Sequence, residues 1–386
     1  MKKSITTFAL LLILSSIVVS IPEINIVKAE NTVYIRSDGS VEGTEKIQRD
    51  GNVFTFTDNI NGSIVVESDN IVIDGTGFIL QGTGSLDWVG VDISFRNNVT
   101  VNNIVTRLCG YDIRLSGSSN CIISDIVVED YLPNDIYIEN SSDNVISGNF
   151  GEIKLYDSGG NILLDNRWSL KLFSSFNNTI SGNGNSIELS MSANNTVSKN
   201  NSTIRFYAES NGNVISENRG FIGVWGSSNN RIIGNKGAIL IFESHNNTII
   251  QNTVEDNSPY GIELSYSSGN IFSENIIQNN KLDIRFVSNN TFHHNDFVNA
   301  TIDMVNDSVV FWNNGSEGNY WDNYAGLDDN DDGIGDMPYI IDKNNQDNYP
   351  LIEPVIIPEF PSWIVLPLLM IKTLTVIVYK KRMLKR

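Results

Sequence analysis

The chain has 386 residues, of which 40% are hydrophobic and 18% charged, with 30 Gly and 9 Pro. This balance excludes a disordered chain and a collagen-like one, and it fits one elongated ordered body as well as two or three ordinary domains. Between residues 30 and 357 there are 17 basic and 43 acidic residues. A body this acidic repels phosphate backbones, so we expect no nucleic-acid partner, whereas divalent cations are favoured.

Residues 1–29 have the pattern of a secretory signal peptide. Lys2 and Lys3 precede an apolar run from Ile5 to Ile21, and Val27-Lys28-Ala29 supplies the small or modest residues of a cleavage site. An uncleaved membrane anchor is the alternative, because the apolar run is long enough for one. We expect the mature chain to begin near residue 30 and to lie outside the cytoplasm.

Asparagine recurs at a fixed period through the middle of the chain, which carries most of its 52 Asn. An Asn is followed two residues later by an apolar residue and five residues later by a second Asn. The first series is Asn144, Asn161, Asn178, Asn195, Asn213, Asn230 and Asn247. Two apolar residues follow nine and eleven residues after each first Asn in the regular coils, and a spacing of two places both on one face of a strand.

This period predicts an all-β fold, a single-stranded right-handed parallel β-helix of about twelve coils over residues 67–310. No Pro lies between Pro133 and Pro259 and there is no 3.6-residue apolar stripe, so a helical solenoid is excluded. The Leu-rich consensus of leucine-rich repeats is missing as well. We expect the stacked Asn side chains to hydrogen-bond in ladders, and residues 30–66 and 311–350 to cap the two open ends.

The two cysteines, Cys109 and Cys121, are too few for a disulfide framework in a chain of this length. They either pair outside the cell or are buried free thiols. Neither alternative indicates redox chemistry.

The C-terminal end reads as a membrane anchor. Residues 351–362 form a linker, residues 363–379 are apolar apart from Lys372 and two threonines, and a basic tail follows at 380–386. This pattern predicts a transmembrane helix with a positive-inside stop. Pro358-Glu359-Phe360 before it resembles the archaeal PEF-type sorting signals. That resemblance implies anchoring at the outer face of the cell membrane, by the helix or by a lipid that replaces it.

Three segments carry a resemblance to a known group of proteins. They are Ile71-Val72-Ile73-Asp74-Gly75 at the entry, Asn257-Ser258-Pro259-Tyr260-Gly261-Ile262 in a longer coil, and Gly318-Asn319-Tyr320-Trp321 with Asp332-Gly333-Ile334-Gly335-Asp336 at the exit. Together with the coils they resemble the secreted β-helix repeats of the NosD and carbohydrate-binding/sugar-hydrolase (CASH) group, over residues 31 to about 350. The resemblance implies the fold and, for NosD proper, a role in copper maturation of nitrous oxide reductase.

Copper prefers His, Cys and Met ligands. The body of the chain has three histidines, His245, His293 and His294, and only the last two are adjacent. Adjacent residues of a strand point to opposite faces, so we interpret this pair as one structural and one solvated histidine. A copper cofactor is therefore not expected.

A polysaccharide lyase or glycoside hydrolase of the pectinase-like β-helix type is the main alternative to a binding protein. Such enzymes need paired carboxylates close together on one strand face. The polygalacturonase signatures Asn-Thr-Asp and Gly-His-Gly are missing, and no Arg-rich lyase motif is present. Asp125, Asp165, Glu188 and Glu217 do not share a phase of the repeat, which indicates scattered surface charge. A site assembled across coils from different phases escapes this search, so no catalytic residue is assigned.

The exit loop carries the strongest metal-binding pattern. Asp328, Asn330, Asp332 and Asp336 occupy positions 1, 3, 5 and 9 of a calcium loop, and Ile334 offers its carbonyl at position 7. Position 12 is Tyr instead of a bidentate Glu and no flanking helices are apparent, so this is not an EF-hand. The sequence predicts either a short Asp-rich Ca²⁺ loop or a hydrated acidic turn.

Three aromatic residues beside that loop, Tyr320, Trp321 and Tyr324, either stack on sugar rings or cover the last coil, and a hydrophobic cap is the interpretation we favour. Twelve Asn-x-Ser/Thr sequons permit glycosylation of the surface. The sequence as a whole predicts a cell-surface β-helix with a binding or structural role, toward envelope polysaccharide or neighbouring surface-layer proteins. A copper-maturation factor is the third and weakest alternative.

Overall fold

Stacked parallel strands build the part of the chain that the structure describes. The structure is a computed structural model, and it describes residues 32–355 apart from 131, 133, 258–260 and 306–307. The signal peptide, the sorting motif, the transmembrane helix and the basic tail predicted above lie outside the described residues. Among the described residues, no helix is long and apolar enough to cross a membrane.

Two sheets of 15 strands each run the length of the molecule. Sheet 1 contains, in spatial order, Val41–Glu42, Val33–Ile35, Ile64–Val66, Val89–Asp92, Tyr111–Ser116, Asn134–Glu139, Ile153–Tyr156, Leu170–Phe173, Ile187–Ser190, Ile204–Tyr207, Ile222–Trp225, Ile239–Phe242, Ile262–Ser265, Lys281–Arg285 and Thr301–Met304. Sheet 2 contains Ile47–Asp50, Val53–Phe56, Val72–Asp74, Thr100–Asn102, Ile122–Ser124, Val145–Ser147, Ile162–Leu164, Thr179–Ser181, Thr196–Ser198, Val214–Ser216, Arg231–Ile233, Thr248–Ile250, Ile271–Ser273, Asn290–His293 and Val310–Phe311.

Three smaller sheets accompany the longer coils and the C-terminal end. One four-stranded sheet contains Ile60–Asn61, Ile79–Gln81, Val105–Arg107 and Val127–Val128; another contains Thr253–Glu255, Ile276–Gln278, Asp296–Val298 and Tyr320–Trp321; a hairpin joins Tyr339–Ile340 to Gln346–Asp347. The prediction of an all-β parallel β-helix is confirmed, with about 13 turns where about twelve were expected.

The register of the strands follows the period of the sequence. Ile153 pairs with Leu170 in sheet 1, and Leu170 pairs with Ile187 one repeat later. The two apolar residues of each strand point inward and are buried in one continuous hydrophobic core. Because inner and outer residues alternate along a strand, every outward position of one coil lies directly above the same position of the next coil.

The N-terminal segment differs from the cap that we predicted over residues 30–66. Val33–Ile35 pairs in parallel with Ile64–Val66, and Val53–Phe56 pairs in parallel with Val72–Asp74, so the solenoid already begins at residue 33. Antiparallel partners of these strands, Val41–Glu42 and Ile47–Asp50, cover part of the open end. The sequence did not reveal this first coil because it lacks the paired Asn that mark the later ones.

The predicted asparagine ladders are confirmed. Asn178 is buried, and its side-chain amide donates to the Asn195 side-chain oxygen (3.0 Å) and to the Ser158 carbonyl (3.0 Å). Its own side-chain oxygen accepts from the backbone and side-chain N–H groups of Asn161 (2.9 and 3.1 Å). Each rung therefore satisfies backbone groups that the turn would otherwise leave without partners.

A serine ladder, which we did not predict, runs beside them three residues before each first Asn. Ser158 is buried; its hydroxyl donates to the Tyr156 carbonyl (2.7 Å) and accepts from the backbone N–H of Ser141 (3.1 Å). The repeated Ser at this spacing was visible in the sequence.

An aromatic stack closes the C-terminal end. Trp321 is 4% exposed, and its ring lies 4.3 Å from both the Phe297 and the Tyr339 ring, nearly parallel to each. Its indole N–H donates to Asp347 (3.0 Å), which also accepts from Asn319 and so ends the second Asn ladder. This geometry is that of a cap.

Both cysteines are buried free thiols, which settles the alternative left open above. Burial raises the pKa of both thiols, that of Cys121 to about 11. They pack as small apolar side chains within the first coils.

Candidate functional site

The outer face of sheet 1 carries a column of aromatic rings. The last residue of successive strands places Tyr156, Phe173, Tyr207, Trp225 and Phe242 in this column. The Tyr156 and Phe173 rings stack with centroids 4.8 Å apart, and the Tyr207 and Trp225 rings stack at 5.1 Å. These separations match the spacing of the coils, so the rings lie roughly in the planes of their coils.

One small residue interrupts this column and opens a slot. Ser190 lies above Phe173 and below Tyr207 in the register of sheet 1. Two coil spacings separate the Phe173 and Tyr207 rings, which is about 9.6 Å. That distance admits one further ring, stacked at roughly 4.8 Å on each side. We call this gap, bounded by Phe173, Ser190 and Tyr207, the aromatic slot.

Charged side chains line one side of the aromatic slot. Lys171, Glu188 and Arg205 occupy the neighbouring outward column, one on each of the same three coils. Glu188 and Arg205 form an ion pair with an N–O distance of 3.7 Å, and both remain about one third exposed. Such groups offer hydrogen-bond donors and acceptors to a polar ligand held between the two rings.

A second column, at the beginning of the sheet 1 strands, is acidic. Asp112, Asp135 and Glu152 each directly precede the first buried apolar residue of their strand, and those apolar residues are in register from coil to coil. Asp112 is fully buried and Asp135 is 6% exposed. The backbone N–H of Glu152 donates to Asp135 Oδ2 at 2.6 Å, which ties the second acid to the third.

Asp135 and Glu152 line a cavity of about 260 Å³. Its remaining walls are the apolar side chains Val128, Leu132, Phe150 and Trp168, together with Glu129, Asp130 and the backbone of Gly151. Among the described residues, Asp135 Oδ1 is buried without a hydrogen-bond partner. A buried carboxyl oxygen without a hydrogen-bond partner costs stability.

The three acids differ in their affinity for protons. Burial raises the pKa of Asp112 to about 8 and the pKa of Asp135 to about 7. Burial acts in the same direction on Glu152, but hydrogen bonds from Lys171 (2.7 Å) and Lys154 (3.0 Å) outweigh it and lower the pKa of Glu152 below its usual value. Below about pH 7 Asp135 is therefore mostly protonated, beside the ionised Glu152.

A further groove of about 370 Å³ continues along the same face toward the N-terminal end. Phe95, Tyr111, Tyr137, Arg114 and Glu139 line it, and the Tyr111 and Tyr137 rings meet edge to face at 5.2 Å. Sheet 1 thus presents aromatic and charged groups over several consecutive coils.

The four acids that the sequence analysis considered for catalysis do not belong to the acidic column. Asp125, Asp165 and Glu217 do share a phase, contrary to our expectation: each lies at the same turn after a sheet 2 strand, with φ between 52° and 55°. Asp favours this left-handed conformation, so these side chains shape turns. Glu188 alone lies on sheet 1.

The acidic column itself was missed by the sequence search. Its members precede the first residue of the apolar pair by one position, with spacings of 23 and 17 that equal the local repeat lengths. That coincidence was the available signal, but it becomes informative only once burial is known.

The structure brings the predicted calcium loop together in part. Asp328 Oδ1 and Asn330 Oδ1 both accept from the backbone N–H of Asp332 (3.1 and 3.2 Å), and Asp332 Oδ1 accepts from Ile334 N–H (2.9 Å). Asp336 instead accepts from the N–H of residue 329. The loop offers the oxygen donors that Ca²⁺ prefers, and its binding of calcium stays a prediction.

The aromatic residues beside the loop belong to the end cap. Phe297 and Tyr339 cover both faces of Trp321, which leaves no ring face for a sugar. The Tyr324 hydroxyl donates to the Met337 carbonyl at 2.6 Å. Tyr320 is partly buried at the edge of a small sheet. The favoured cap interpretation describes Trp321 well.

His293 and His294 do not point to opposite faces as we expected. His294 has a φ of 56°, and this left-handed turn ends the alternation of the strand. Their Nδ1 atoms lie 3.3 Å apart, and His294 Nε2 contacts Glu317. Burial, followed by the neighbouring His294 ring, lowers the pKa of His293.

The class of protein that these observations define is a parallel β-helix with one chemically specialised outer face. Residues 223–326 match the family described as periplasmic copper-binding protein (NosD). Comparison with curated protein sequences gives no match.

Several solved structures are similar to this chain at low sequence identity. The periplasmic alginate epimerase AlgG is 12% identical, with 70% of this chain and 83% of that chain covered and a TM-score of 0.41. DFA-IIIase from Arthrobacter chlorophenolicus A6 is 12% identical, with 64% and 87% covered and a TM-score of 0.39. The Azotobacter vinelandii mannuronan C-5 epimerase AlgE6 A-module is 12% identical, with 65% and 87% covered and a TM-score of 0.29. Similarity at this level does not extend to any functional site.

The described residues do not fit a copper centre. Copper sites combine several His, Cys or Met donors, whereas only the two imidazoles of His293 and His294 converge, and one of them is already engaged by Glu317. Within the described part of the chain no three His, Cys, Asp or Glu side chains are arranged to hold a metal ion.

Proposed function

We propose that this protein is an exported, membrane-tethered β-helix that binds a polysaccharide of the cell envelope along the outer face of sheet 1. The aromatic slot between Phe173 and Tyr207 is the observation that carries the proposal. A pyranose ring has C–H groups on both faces, which pack on the electron-rich faces of aromatic rings. Its hydroxyl groups extend from the rim, where Lys171, Glu188 and Arg205 lie.

The direction of the column suits a polymer better than a single sugar. The aromatic rings, the charged column and the groove lined by Tyr111 and Tyr137 lie along one face of sheet 1, and the cavity lined by Asp135 and Glu152 lies beside the beginning of its strands. A polymer on this face contacts side chains of more than one coil, so weak contacts add up over its length.

The two ends of the chain support the proposed location. The signal peptide over residues 1–29 and the apolar segment 363–379 with its basic tail support export and tethering. The match of residues 223–326 to a family described as periplasmic agrees with a site outside the cytoplasm.

Binding to labelled polysaccharides tests the proposal. The full-length chain is run by affinity electrophoresis in gels containing a soluble β-glucan, mannan, galactan or polygalacturonate. We expect retardation by at least one polymer, and at least tenfold weaker binding of Phe173→Ala, because one wall of the aromatic slot is lost.

Two further variants make the test specific. Ser190→Phe fills the aromatic slot with a ring that continues the existing stack, so we expect lost binding in a fully folded protein. Phe176→Ala removes an aromatic side chain that is 49% exposed and lies outside the column, so its binding is expected to equal that of the wild type. Unchanged binding by Ser190→Phe, or no binding of the wild type to any polymer, would contradict the proposal.

A further inference from the structure

Four glycosylation sequons recur at one position of the repeat. Each begins directly before the first ladder Asn of its coil and ends at the outward residue near the start of a sheet 2 strand. They are Asn177-Asn178-Thr179, Asn194-Asn195-Thr196, Asn246-Asn247-Thr248 and Asn289-Asn290-Thr291. We call their first residues the edge asparagines. The register of sheet 2 places the four Thr residues in one column, so the sequons lie along one edge of the rod.

The turn that contains the edge asparagines does not require Asn. Its backbone is left-handed, with φ between 55° and 57° at the four residues. Gly adopts this conformation most readily, and Gly160, Gly212 and Gly269 occupy the same position in other coils, as does Asp143. An Asn that other coils replace with Gly can therefore have a role besides shaping the turn.

The Thr of the sequon accompanies the Asn. Among the twelve coils from Asn70 to Asn289, five have Thr at the outward strand position, as Thr100, Thr179, Thr196, Thr248 and Thr291. Asn stands two residues before each of these five, whereas the four coils with Gly or Asp in the turn have Val or Ile at the strand position. Strand propensity does not explain this restriction, because Thr, Val and Ile all favour strands in any coil. The repeat therefore keeps the two chemical groups of a sequon together.

The structure exposes both groups of the sequon on the same side. The edge asparagines are exposed, whereas the residue that follows each of them is a buried ladder Asn. Thr179 points outward, because the next residue of its strand, Ile180, points into the core. Asn98 differs, since it is half-buried and its side-chain amide donates to the Asn70 side-chain oxygen at 2.9 Å. This position of the repeat thus presents four exposed amides and one that is held by a hydrogen bond.

We propose that the edge asparagines carry N-linked glycans, which form one glycosylated edge along the solenoid. In this transfer the side-chain nitrogen forms a bond to the anomeric carbon of an oligosaccharide that is carried on a lipid phosphate, and a membrane transferase outside the cytoplasm supplies the catalysis. The bond between that carbon and the phosphate oxygen breaks, the lipid phosphate leaves with the electron pair, and the amide releases one proton. The export that residues 1–29 predict brings the chain to this compartment.

The glycosylated edge adjoins the aromatic slot. Asn177 follows Phe173 by four residues, and Asn194 follows Ser190 by four, so both lie just beyond the ends of sheet 1 strands that form the slot. N-linked glycans are bulky and solubilising. At these positions they cover the neighbouring Phe176, which is 49% exposed. They also leave the side of the charged column as the approach to the slot.

Site occupancy in a glycosylating host tests the inference. The full-length chain is expressed in a host that exports it and transfers glycans to Asn-x-Ser/Thr, and peptides of the exported protein are analysed by mass spectrometry. We expect glycan on the edge asparagines and none on Asn98. Thr179→Val keeps the β-branched shape but removes the hydroxyl group, so the occupancy of Asn177 should fall at least about tenfold. Thr179→Ser, the matched control, retains the sequon and should retain the glycan.

A double variant should add a glycan where the wild type has none. Asp143→Asn together with Val145→Thr completes a sequon at the same position of another coil, so we expect a new glycan at residue 143. Unmodified edge asparagines in the exported protein, or no glycan at residue 143 of the double variant, would overturn the inference and leave the proposed polysaccharide binding standing. A chain that cell fractionation finds only in the cytoplasm would remove the proposed location together with this inference.

Discussion

Replacing one rung of the first asparagine ladder should strongly destabilise the solenoid. Asn178→Ala removes the acceptor of two N–H groups of Asn161 and the donor to Ser158 and Asn195. The backbone N–H of Asn161 is then buried without a partner, while the two acceptors keep one other hydrogen bond each.

The magnitude follows from these lost bonds. One orphaned buried donor costs about 1–3 kcal/mol, and the three other lost hydrogen bonds contribute about 0.5–1.5 kcal/mol each. These contributions sum to about 2.5–7.5 kcal/mol in the free energy of unfolding, seen as a fall in Tm on the order of 5–10 °C for a body of this length.

Calorimetry and guanidinium unfolding of Asn178→Ala and of a control variant measure this loss in the free energy of unfolding. The control is Asn177→Gly, which changes the exposed Asn directly before the rung, where φ is 55°. Gly adopts this conformation readily, and Gly160 and Gly212 occupy the same turn on other coils. The stability of the control should therefore lie within about 0.5 kcal/mol of the wild type. A loss under about 1 kcal/mol for Asn178→Ala, or an equal loss in the control, would refute the role given to the ladder.

Three other predictions concern separate sites. Because the pKa of Asp112 is raised to about 8, the folded protein loses stability as pH rises from about 4 to 8, and Asp112→Asn should raise Tm more at pH 8 than at pH 5; an equal shift at both would contradict this. If the exit loop binds Ca²⁺, titration calorimetry of the full-length chain shows a binding heat that Asp332→Asn abolishes, and a heat that survives this change would place the ion elsewhere. In a glycosylating host, mass spectrometry should find glycan on the exposed Asn201 and none on its buried neighbour Asn200, whose amide is hydrogen-bonded; modification of Asn200 would contradict the ladder.

The fold could be predicted from the sequence because the asparagines that recur in each period all have the same physical role. Asn144 and its successors are spaced by the length of a coil, and only a stacked solenoid gives each of them the same buried partners. The first coil was not predicted because its asparagines, such as Asn52 before Val53–Phe56, stand singly and form no pair five residues apart.

The candidate site was less readable, because its residues are ordinary in sequence and unusual only in their surroundings. Asp135 resembles many other acids of this chain until its burial and unpartnered oxygen are known. Ser190 is one Ser among many, and it becomes informative only because the rings above and below it are two coils apart. For His294 the sequence pattern was misleading. Strand alternation predicted that its side chain points away from His293, but a single left-handed residue redirects it.

Because the coils stack at a fixed spacing, distances along the axis of this surface are whole multiples of that spacing. Glu152 and Ser190 belong to strands two coils apart, so the cavity and the aromatic slot are separated by about 9.6 Å along the axis, which is close to the length of two sugar units. In most folds such an interval changes continuously with small shifts of loops. Here it changes only by the gain or loss of an entire coil, so a duplication or deletion of one 17-residue repeat between them would lengthen or shorten the interval along the axis by about 4.8 Å. Each repeat thus sets the distance between features of the surface as well as the structure of one coil.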